Sequence, residues 1–363
     1  MTAVHQFVPT LAPHDAVSTH YLAMQSALRE AGYRSEIYAH ELKPEMRRRG
    51  RHYRAYKGPR RDEPTWLCYH SSVGSPVAEF VLERPEPLLL DYHNITPAEF
   101  FLRWEPFVAG TLSLGRRQLA RLAPRARLGM ADSGYNAEEL ASFGCERTAV
   151  VPIMLDVASL ERDADPVRRR ATSTRCASAA AGTGCSSGAS HPTRRSTTSS
   201  RRSAPTGASS TRTPSCTSSA PRRRTATSAR CATSSTRLGS AAPCTSPARS
   251  PTSSSAAYYR HSDVMVVCSE HEGFCLPLLE AMHAGLPVVA YAAAAVPETL
   301  GDAGLLLDAK DACTVATAVA RVLRDDRLRQ HLVDAGRHRL SEFDIRRSRE
   351  RLLDAIAGTV GPP

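Results

Sequence analysis

The chain has 363 residues, a formal net charge of +11 and 23% charged residues, enough length for about two domains of ordinary size. Such a charge would suit a polyanion partner, but residues 171–250 hold twelve Arg and no Lys, Asp or Glu, and +11 less these twelve leaves −1 for the rest. A basic character spread over the whole chain is therefore excluded.

In chain order, the first 155 residues read as α/β. VHQFV is a short strand, and HDAVSTHYLAMQSALREAGY has helical apolar spacing (Val17, Tyr21, Leu22, Met24, Leu28) with Gly32 at its end. SEIYA is a second strand. The run PEMRRRGRHYRAYKGPRR (44–61) is a basic loop, either a solvated surface or a contact for an anionic acceptor or membrane. TWLCYHS and PLLLDYHN are buried strands ending in polar residues, LSLGRRQLARLA an amphipathic helix and ARLGMADS a strand. In YNAEELASFG, Asn136 is the expected helix cap with Glu139 three residues on, and Gly144 closes the helix. RTAVVPIMLD is a further strand, leading into a polar linker near 161–170.

The pattern then breaks. Residues 171–250 contain twenty Ser, fifteen Thr, fifteen Ala, five of the ten Cys and one large aliphatic, Leu238. Such a segment cannot bury enough apolar surface to offset its ordering entropy. The α/β rhythm resumes at Ala256: DVMVVCS is a strand, PLLEAMHAG a helix between Pro277 and Gly285, LPVVAYA and AGLLLDA are strands, and CTVATAVARVLRDD and DIRRSRERLLDAIAGTV are helices. Strands alternating with helices predict parallel, doubly wound sheets. The start MTAVHQFVPTLAPH lacks the features of a secretory signal, no run approaches the roughly 18 apolar residues of a membrane helix, and the cysteines show no C-x-x-C or zinc spacing. A cytoplasmic protein with free thiols is the expectation.

The informative run is Ser269-Glu270-His271-Glu272-Gly273-Phe274-Cys275-Leu276-Pro277-Leu278-Leu279-Glu280, between a buried strand and a helix start. Ligands of open parallel sheets bind beyond the strands' carboxyl ends, and free N–H groups at a helix start attract phosphate. The backbone around Gly273–Leu278 is a natural diphosphate cradle. Glu272 and Glu280 then suit hydroxyl-rich groups, because carboxylates accept strong hydrogen bonds. On the residues alone they read equally as a capping and a surface glutamate.

EHEGFCLPLLEAMHAGLPVVAYAAAAVPETLGDAGLLL resembles the E-x7-E signature region of the family-4 retaining glycosyltransferases of GT-B fold, and the similarity continues through VATAVARVLRDDRLRQHLVDAGRHRLSEFD. It is looser in the N-terminal half, through PTLAPHDAVSTHYLAMQSALREAGYRSEIYA, DYHNITP and ADSGYNAEEL. The resemblance implies two Rossmann-like domains facing a cleft, and transfer of a sugar from a nucleotide-sugar donor with retention. By it, Glu272 faces the donor sugar, Glu280 binds the ribose, and the amides of Gly273, Phe274, Cys275 and Leu276 contact sugar and phosphate. His93 would sit across the cleft near the reacting carbon, or be a structural polar residue. The Asp15–Ser18 loop would face the donor phosphates or acceptor. Glu298 is expected to serve a helix's first turn. The family usually has Gly at the place of Cys275, so a left-handed backbone there would be strained. The acceptor is a glycan, lipid or small molecule. No cofactor, metal or specific nucleic-acid partner is expected, and a peripheral contact at the inner membrane face is allowed for.

The family's G-R-L-x-x-x-K-type element, which supplies cations to the leaving diphosphate, is missing. It should lie where the Ser/Thr/Arg stretch lies. A shifted reading frame across about 170–255 accounts for both facts: in the adjacent frame, Ser codons become Leu, Val, Phe or Ile, and SSGASHPTRRSTTSSRRS can yield FVGRLAPNKAQHDLVEAL. The lost Arg then falls at Ala189 and the lost Lys at Arg194. The expected domains are 1–155 on the acceptor side, 156–340 for the nucleotide sugar with 170–255 disordered, and a helix in 341–363 packing back on the first. The chain as written is expected to be inactive. Two rival readings are a non-catalytic product whose Arg/Ser-rich segment binds polyanions, and a glycosidase using Glu272 and Glu280 as acid and base.

Overall fold

In the computed structural model, residues 1–13, 15–156 and 258–363 are described, together with the strand Gly184–Cys185. Ala189, Arg194 and Leu238 lie outside the described residues.

The first domain is a seven-stranded parallel sheet. Its strands are β1 (Ala3–Leu11), β2 (Ile37–Leu42), β3 (Arg51–His52), β4 (Thr65–Ser71), β5 (Leu88–Tyr92), β6 (Ala126–Ala131) and β7 (Thr148–Val150), in the order β3-β2-β1-β4-β5-β6-β7. The central strands are apolar runs because both faces are covered. Successive side chains therefore serve opposite cores. Leu67, Tyr69 and Leu90 pack with Phe7, Val77 and Leu119 on one face, and Cys68 and Leu89 pack with Val4, Met24 and Leu28 on the other. The covering helices are α1 (Ala16–Glu30), α2 (Pro76–Leu82), α3 (Pro106–Leu122) and α4 (Gly134–Ser142).

The second sheet is also parallel. Its strands are β8 (Gly184–Cys185), β9 (Val264–Val267), β10 (Val288–Tyr291) and β11 (Gly304–Leu307), in the order β11-β10-β9-β8. Thus two residues of the stretch expected to be disordered pair with β9, Gly184 beside Val264 and Cys185 beside Met265. Helices α5 (Leu276–His283), α6 (Val296–Leu300), α7 (Ala312–Arg324) and α8 (Asp326–Leu340) follow. The last helix, α9 (Ile345–Val360), buries Leu352 and Ile356 in the core of the first domain beside Met24 and Leu28. Arg349 pairs with Glu30 at 2.6 Å, and the Tyr33 hydroxyl donates to the Gly361 carbonyl at 2.6 Å.

Three local readings change. The 44–61 run is not simply a loop: Arg51–His52 adds an edge strand to β2, and Tyr53 and Tyr56 are buried in the core while Arg47, Arg48 and Arg49 are exposed. Helix α2 has a good start signal that the apolar spacing did not reveal, Ser75 as cap and Pro76 at the first position. The cap of α4 is Ser133, whose side chain accepts from the Asn136 amide at 3.1 Å, so Asn136 stands inside the helix with its side chain free for other work.

His5, in the middle of β1, lies edge-on to the Tyr38 and Tyr56 rings and accepts from the Glu36 amide at 3.2 Å. Burial, with the Arg34 guanidinium adding to it, pushes its pKa down to about 4. Below the unfolded value of about 6.5 the unfolded chain takes up a proton that the folded one refuses. The stabilisation is complete above pH 6.5 and falls away towards pH 4, an expected loss of about 3 kcal/mol between pH 7 and 4. Urea unfolding, followed by the fluorescence of Trp66 and Trp104, both in this domain, checks it. The wild type should lose more stability over this range than His5→Asn, and equal pH slopes would rule the assignment out.

Candidate functional site

The strand β9 ends at Val267, and residues 268–275 cross the carboxyl edge of the second sheet before α5 begins. Cys275, the residue before α5, has φ 64° and ψ 59°, a left-handed conformation without glycine, and its buried side chain packs with Leu278 and Leu279. Burial pushes its thiol well up from the usual range. Phe274 is anchored edge-on to Phe343, ring centroids 5.4 Å apart, and its carbonyl accepts from the Thr299 hydroxyl at 2.6 Å. Leu276 opens the helix, and Pro277 follows where no intrahelical donor is needed. The loop is thus held from below, and the start of α5 stands at the edge of the sheet.

Both glutamates are largely buried beside this helix start, and burial raises the pKa of each. A hydrogen bond with Ser269 works the other way on Glu272, and one from Tyr259 on Glu280. The Tyr259 hydroxyl donates to Glu280 Oε2 at 2.6 Å, which fixes the carboxylate and leaves Oε1 as the oxygen able to accept from a ligand.

The two domains meet directly over Gly273. The Ser133 hydroxyl donates to the Gly273 carbonyl at 2.7 Å, and a Cβ on Gly273 would lie 2.4 Å from the Asn94 Cβ. Asn94 has φ 67°, donates to Asn136 Oδ1 at 2.7 Å and bonds the His271 ring at 2.6 Å. Glu298 of α6 reaches over to α4, where its two oxygens accept from the Gly134 and Tyr135 amides at 2.7 and 3.1 Å. It does serve the first turn of a helix, but of a helix in the other domain. A cavity of about 90 Å³ lies alongside, lined by Asp132, Ser133, Phe274, Glu298, Arg339 and Arg351 among others.

His93, expected either across the cleft or as a structural polar residue, directly follows β5. Its side chain is 1% exposed and turned into the first domain: Nδ1 faces Asp132 at 3.1 Å, and Nε2 faces His70 Nδ1 at 3.1 Å and Asp91 at 3.6 Å. The reason is the company at the strand ends, where β5 ends in Asp91 and Tyr92, β6 is followed by Asp132, and His70 on β4 and His20 on α1 complete a buried polar cluster. Burial opposes a charged His93, but Asp132 and Asp91 outweigh it and hold its pKa up at about 9. Burial pushes His70 down to about 4 and raises Asp132, whereas the surrounding histidines overcome burial at Asp91 and hold it well below the usual range. Asp15 caps α1, accepting from the Ser18 amide at 2.8 Å, and Ser18 lies in the helix with its hydroxyl accepting from the Ala12 amide.

Of the expected residues, Glu272, Gly273, Phe274, Cys275, Leu276 and Glu280 come together around α5; His93 and Asp15 belong to the first domain. Asn136 was expected only as a helix cap, and Asn94, Ser133 and His271 were given no role of their own, although Asn94 and Ser133 stand in the polar strand tails DYHN and ADS and His271 in the run 269–280.

Residues 238–339 match the family described as Glycosyl transferases group 1, from a point upstream of Ala256. Over 85 residues the chain is 36% identical to the O-antigen chain mannosyltransferase B of Escherichia coli, and over 98 residues 38% identical to the D-inositol 3-phosphate glycosyltransferase of Saccharomonospora viridis. These stretches are 23% and 26% of this chain, and the chain spans only 22% and 23% of the two relatives. Among solved structures, sucrose-phosphate synthase from Thermosynechococcus elongatus superposes with a TM-score of 0.69 at 15% identity, over 99% of both chains. Anabaena HepE, in complex with UDP-glucose, does so with a TM-score of 0.64 at 14% identity, over 98% of this chain and 99% of that one. Among the described residues no helix is long and apolar enough to cross a membrane. The chain therefore has the GT-B arrangement of two parallel-sheet α/β domains, and residues 238–339 carry the sequence pattern of the group 1 glycosyl transferases.

Proposed function

We propose that the protein belongs to the family-4 type and that its architecture serves transfer of a sugar from a nucleotide-sugar donor with retention of anomeric configuration. One observation carries the reading: the run Ser269–Glu280 stands at the carboxyl edge of the second sheet, inside the matched residues 238–339, with one partly buried carboxylate before a helix that faces the other domain and a second within it. The amides of Gly273–Leu276 receive the diphosphate, Glu272 the donor sugar and Glu280 the ribose hydroxyls through Oε1. His93 is left out of the donor contacts because both of its ring nitrogens are engaged within the first domain. The Anabaena relative's complexes with UDP-glucose and UDP support a nucleotide-sugar donor. The acceptor stays a glycan, lipid or small molecule, and the cytoplasm, with contact at the inner membrane face through the exposed arginines of 47–49, is the proposed location.

The shifted frame across about 170–255 is part of the proposal. It is supported by the composition of the segment and by the position of Gly184–Cys185, which stand just ahead of the decoded FVGRLAPNK string and occupy the strand place beside β9. By the resemblance the Arg and Lys of that element help to neutralise the departing diphosphate, and the chain as written lacks both at their places. A screen of nucleotide-sugar donors, with product configuration read by NMR, is expected to show no transfer by the chain as written and retained-configuration transfer by the frame-corrected protein. Turnover by the chain as written would refute the frame reading; inverted product from the corrected protein would refute retention.

Glu280→Ala tests the ribose contact. Donor affinity of the frame-corrected protein should weaken by about 1.5–3 kcal/mol, the range for hydrogen bonds to a charged group. Calorimetric binding of the nucleoside diphosphate reads this out, and unchanged affinity would remove Glu280 from the donor site.

A further inference from the structure

Of the seven large apolar side chains exposed among the described residues, four stand in one short stretch: Leu102, Trp104, Phe107 and Leu114. Phe107 is 88% exposed and Leu102 59%. Phe107 and Leu114 lie two turns apart on α3 and share one face of it, and Leu102 and Trp104 precede them in the turn that leads into the helix. This is not a frayed end. The Trp104 and Glu105 amides both donate to the Phe101 carbonyl, at 2.9 and 2.8 Å, and the Ala109 amide donates to the Glu105 carbonyl at 3.0 Å. Beneath them Phe101, Ala109 and Leu112 are buried in the core of the first domain. The core thus holds the turn up and presents its apolar side chains to solvent in a fixed arrangement. The turn also stands beside the cleft, since the half-buried Phe100 ring just ahead of it lies 5.9 Å from the ring of His271 in the loop before α5. Arg103 and Arg117 are exposed and pair with no carboxylate among the described residues, whereas Arg121 is held by Glu79. Glu99 and Glu105 on the same turn offset the two free charges.

We propose that Leu102, Trp104, Phe107 and Leu114 seat the protein on a lipid bilayer, their side chains dipping into the boundary between headgroups and acyl chains. Area, shape and chemistry select a bilayer over another protein. At about 150–250 Å² for a whole aromatic side chain, and somewhat less for Leu, these four expose on the order of 400 Å². A stable protein contact takes roughly 800 Å² per partner, about twice as much. The side chains stand on the outside of a turn and on one helix face, so they form a projection and not a groove. Trp, Phe and Leu flanked by Arg are the composition of segments that lie in a membrane interface, where the indole N–H and the guanidinium reach the headgroups while the apolar parts stay below. Because Glu99 and Glu105 offset Arg103 and Arg117, the attraction comes from apolar burial and not from anionic lipid. That sets this surface apart from the arginines of 47–49, whose contact rests on charge and fades with salt. Seated in this way, the mouth of the cleft lies close to the bilayer, and an acceptor carried in the membrane reaches it from there. The inference uses no donor contact and stands whether or not the donor reading does.

The test floats the full chain with vesicles of phosphatidylcholine, alone and mixed with phosphatidylglycerol. The twelve arginines of residues 171–250 are drawn to anionic lipid as well. Neutral vesicles at about 1 M salt, where the screening length is about 3 Å, therefore decide. The wild type should float with them. Phe107→Ser combined with Leu102→Ser should lower the partition coefficient by about tenfold or more, since two large apolar side chains no longer enter the interface. Both positions are exposed, so urea unfolding should stay the same. Arg47→Ala, Arg48→Ala and Arg49→Ala together should leave binding to neutral vesicles unchanged. A second measurement keeps the apolar surface whole: in Trp66→Phe, the fluorescence of Trp104 should be quenched by lipids brominated high on the acyl chain. Absent quenching, equal flotation of the wild type and the double variant, or flotation with anionic lipid alone and only at low salt would each overturn the proposal. A lipid-free dimer that Phe107→Ser dissolves would give the surface to a second copy of the chain and overturn it too.

Discussion

Replacing Gly273 by Val is expected to force the two domains apart. A Cβ at this position would fall 2.4 Å from the Asn94 Cβ and 3.0 Å from Asn136 Nδ2, and the first of these cannot yield by a side-chain rotation. The contact that gives way is the one between domains, because each sheet is internally cross-paired whereas the interface rests on a few bonds: Ser133 to Gly273, Asn94 to His271 and Glu298 to the start of α4. Hydrogen exchange at the Gly134 and Tyr135 amides reports the separation directly. Each loses a hydrogen bond to a charged oxygen, about 1.5 kcal/mol apiece at the low end of the range, so exchange at each amide should quicken by roughly tenfold or more. Asn94→Gly in the same chain should restore much of the protection, since it removes the clashing Cβ at a position whose φ of 67° suits glycine. Unchanged exchange in Gly273→Val would show that the loop, not the domain contact, absorbs the added side chain.

Leu352→Ala is expected to cost about 2–5 kcal/mol, the range for truncating a fully buried leucine. Leu352 and Ile356 of α9 are buried against Met24, Leu28 and Leu128. Leu353, Ala355 and Val360 pack against the same cluster from its rim, and the polar ties are the Arg349–Glu30 pair, half-exposed and so worth little, the Tyr33 bond to the Gly361 carbonyl and the Thr2 bond to the Pro362 carbonyl. The apolar contact therefore decides whether α9 stays on the first domain. Urea unfolding by Trp66 and Trp104 fluorescence gives the loss, and proteolysis around 341–345 should accelerate in step. A loss below about 1 kcal/mol would mean that α9 contributes little to that domain's stability.

The strands of the first sheet were legible because burial on both faces makes them continuous apolar runs: QFV, WLC and LLL each fall within a strand. The helix read over CTVATAVARVLRDD corresponds to α7, and α8 behind it went unread; only Asp325 divides them, closing one helix and capping the other. The cap of α4 was misplaced by three residues because Asn136 and Ser133 are both good caps, and the choice lies in backbone angles that the letters do not carry. The stretch around α5 was legible as a unit because it is contiguous. The cluster of His20, His70, Asp91, His93 and Asp132 was not, since it draws on α1, β4, β5 and the ends of β5 and β6, and neighbours in a parallel sheet are separated by a whole crossover. Glu298 was expected to serve a helix's first turn, but the helix it caps, α4, could not be named from the sequence, as the two amides lie more than 160 residues away.

The same glutamate carries a consequence for competing anions. The start of α4 offers two amides to whatever negative group arrives, and the chain supplies one of its own from the other domain. A free phosphate or carboxylate seeking those amides meets a tethered rival whose effective concentration is on the order of millimolar. At lower concentrations such anions leave the domain contact alone; well above it they take the place of Glu298, and the two halves of the molecule are held by one bond pair fewer. Domain closure in this protein is in that sense a competition, with the buffer as the other contestant.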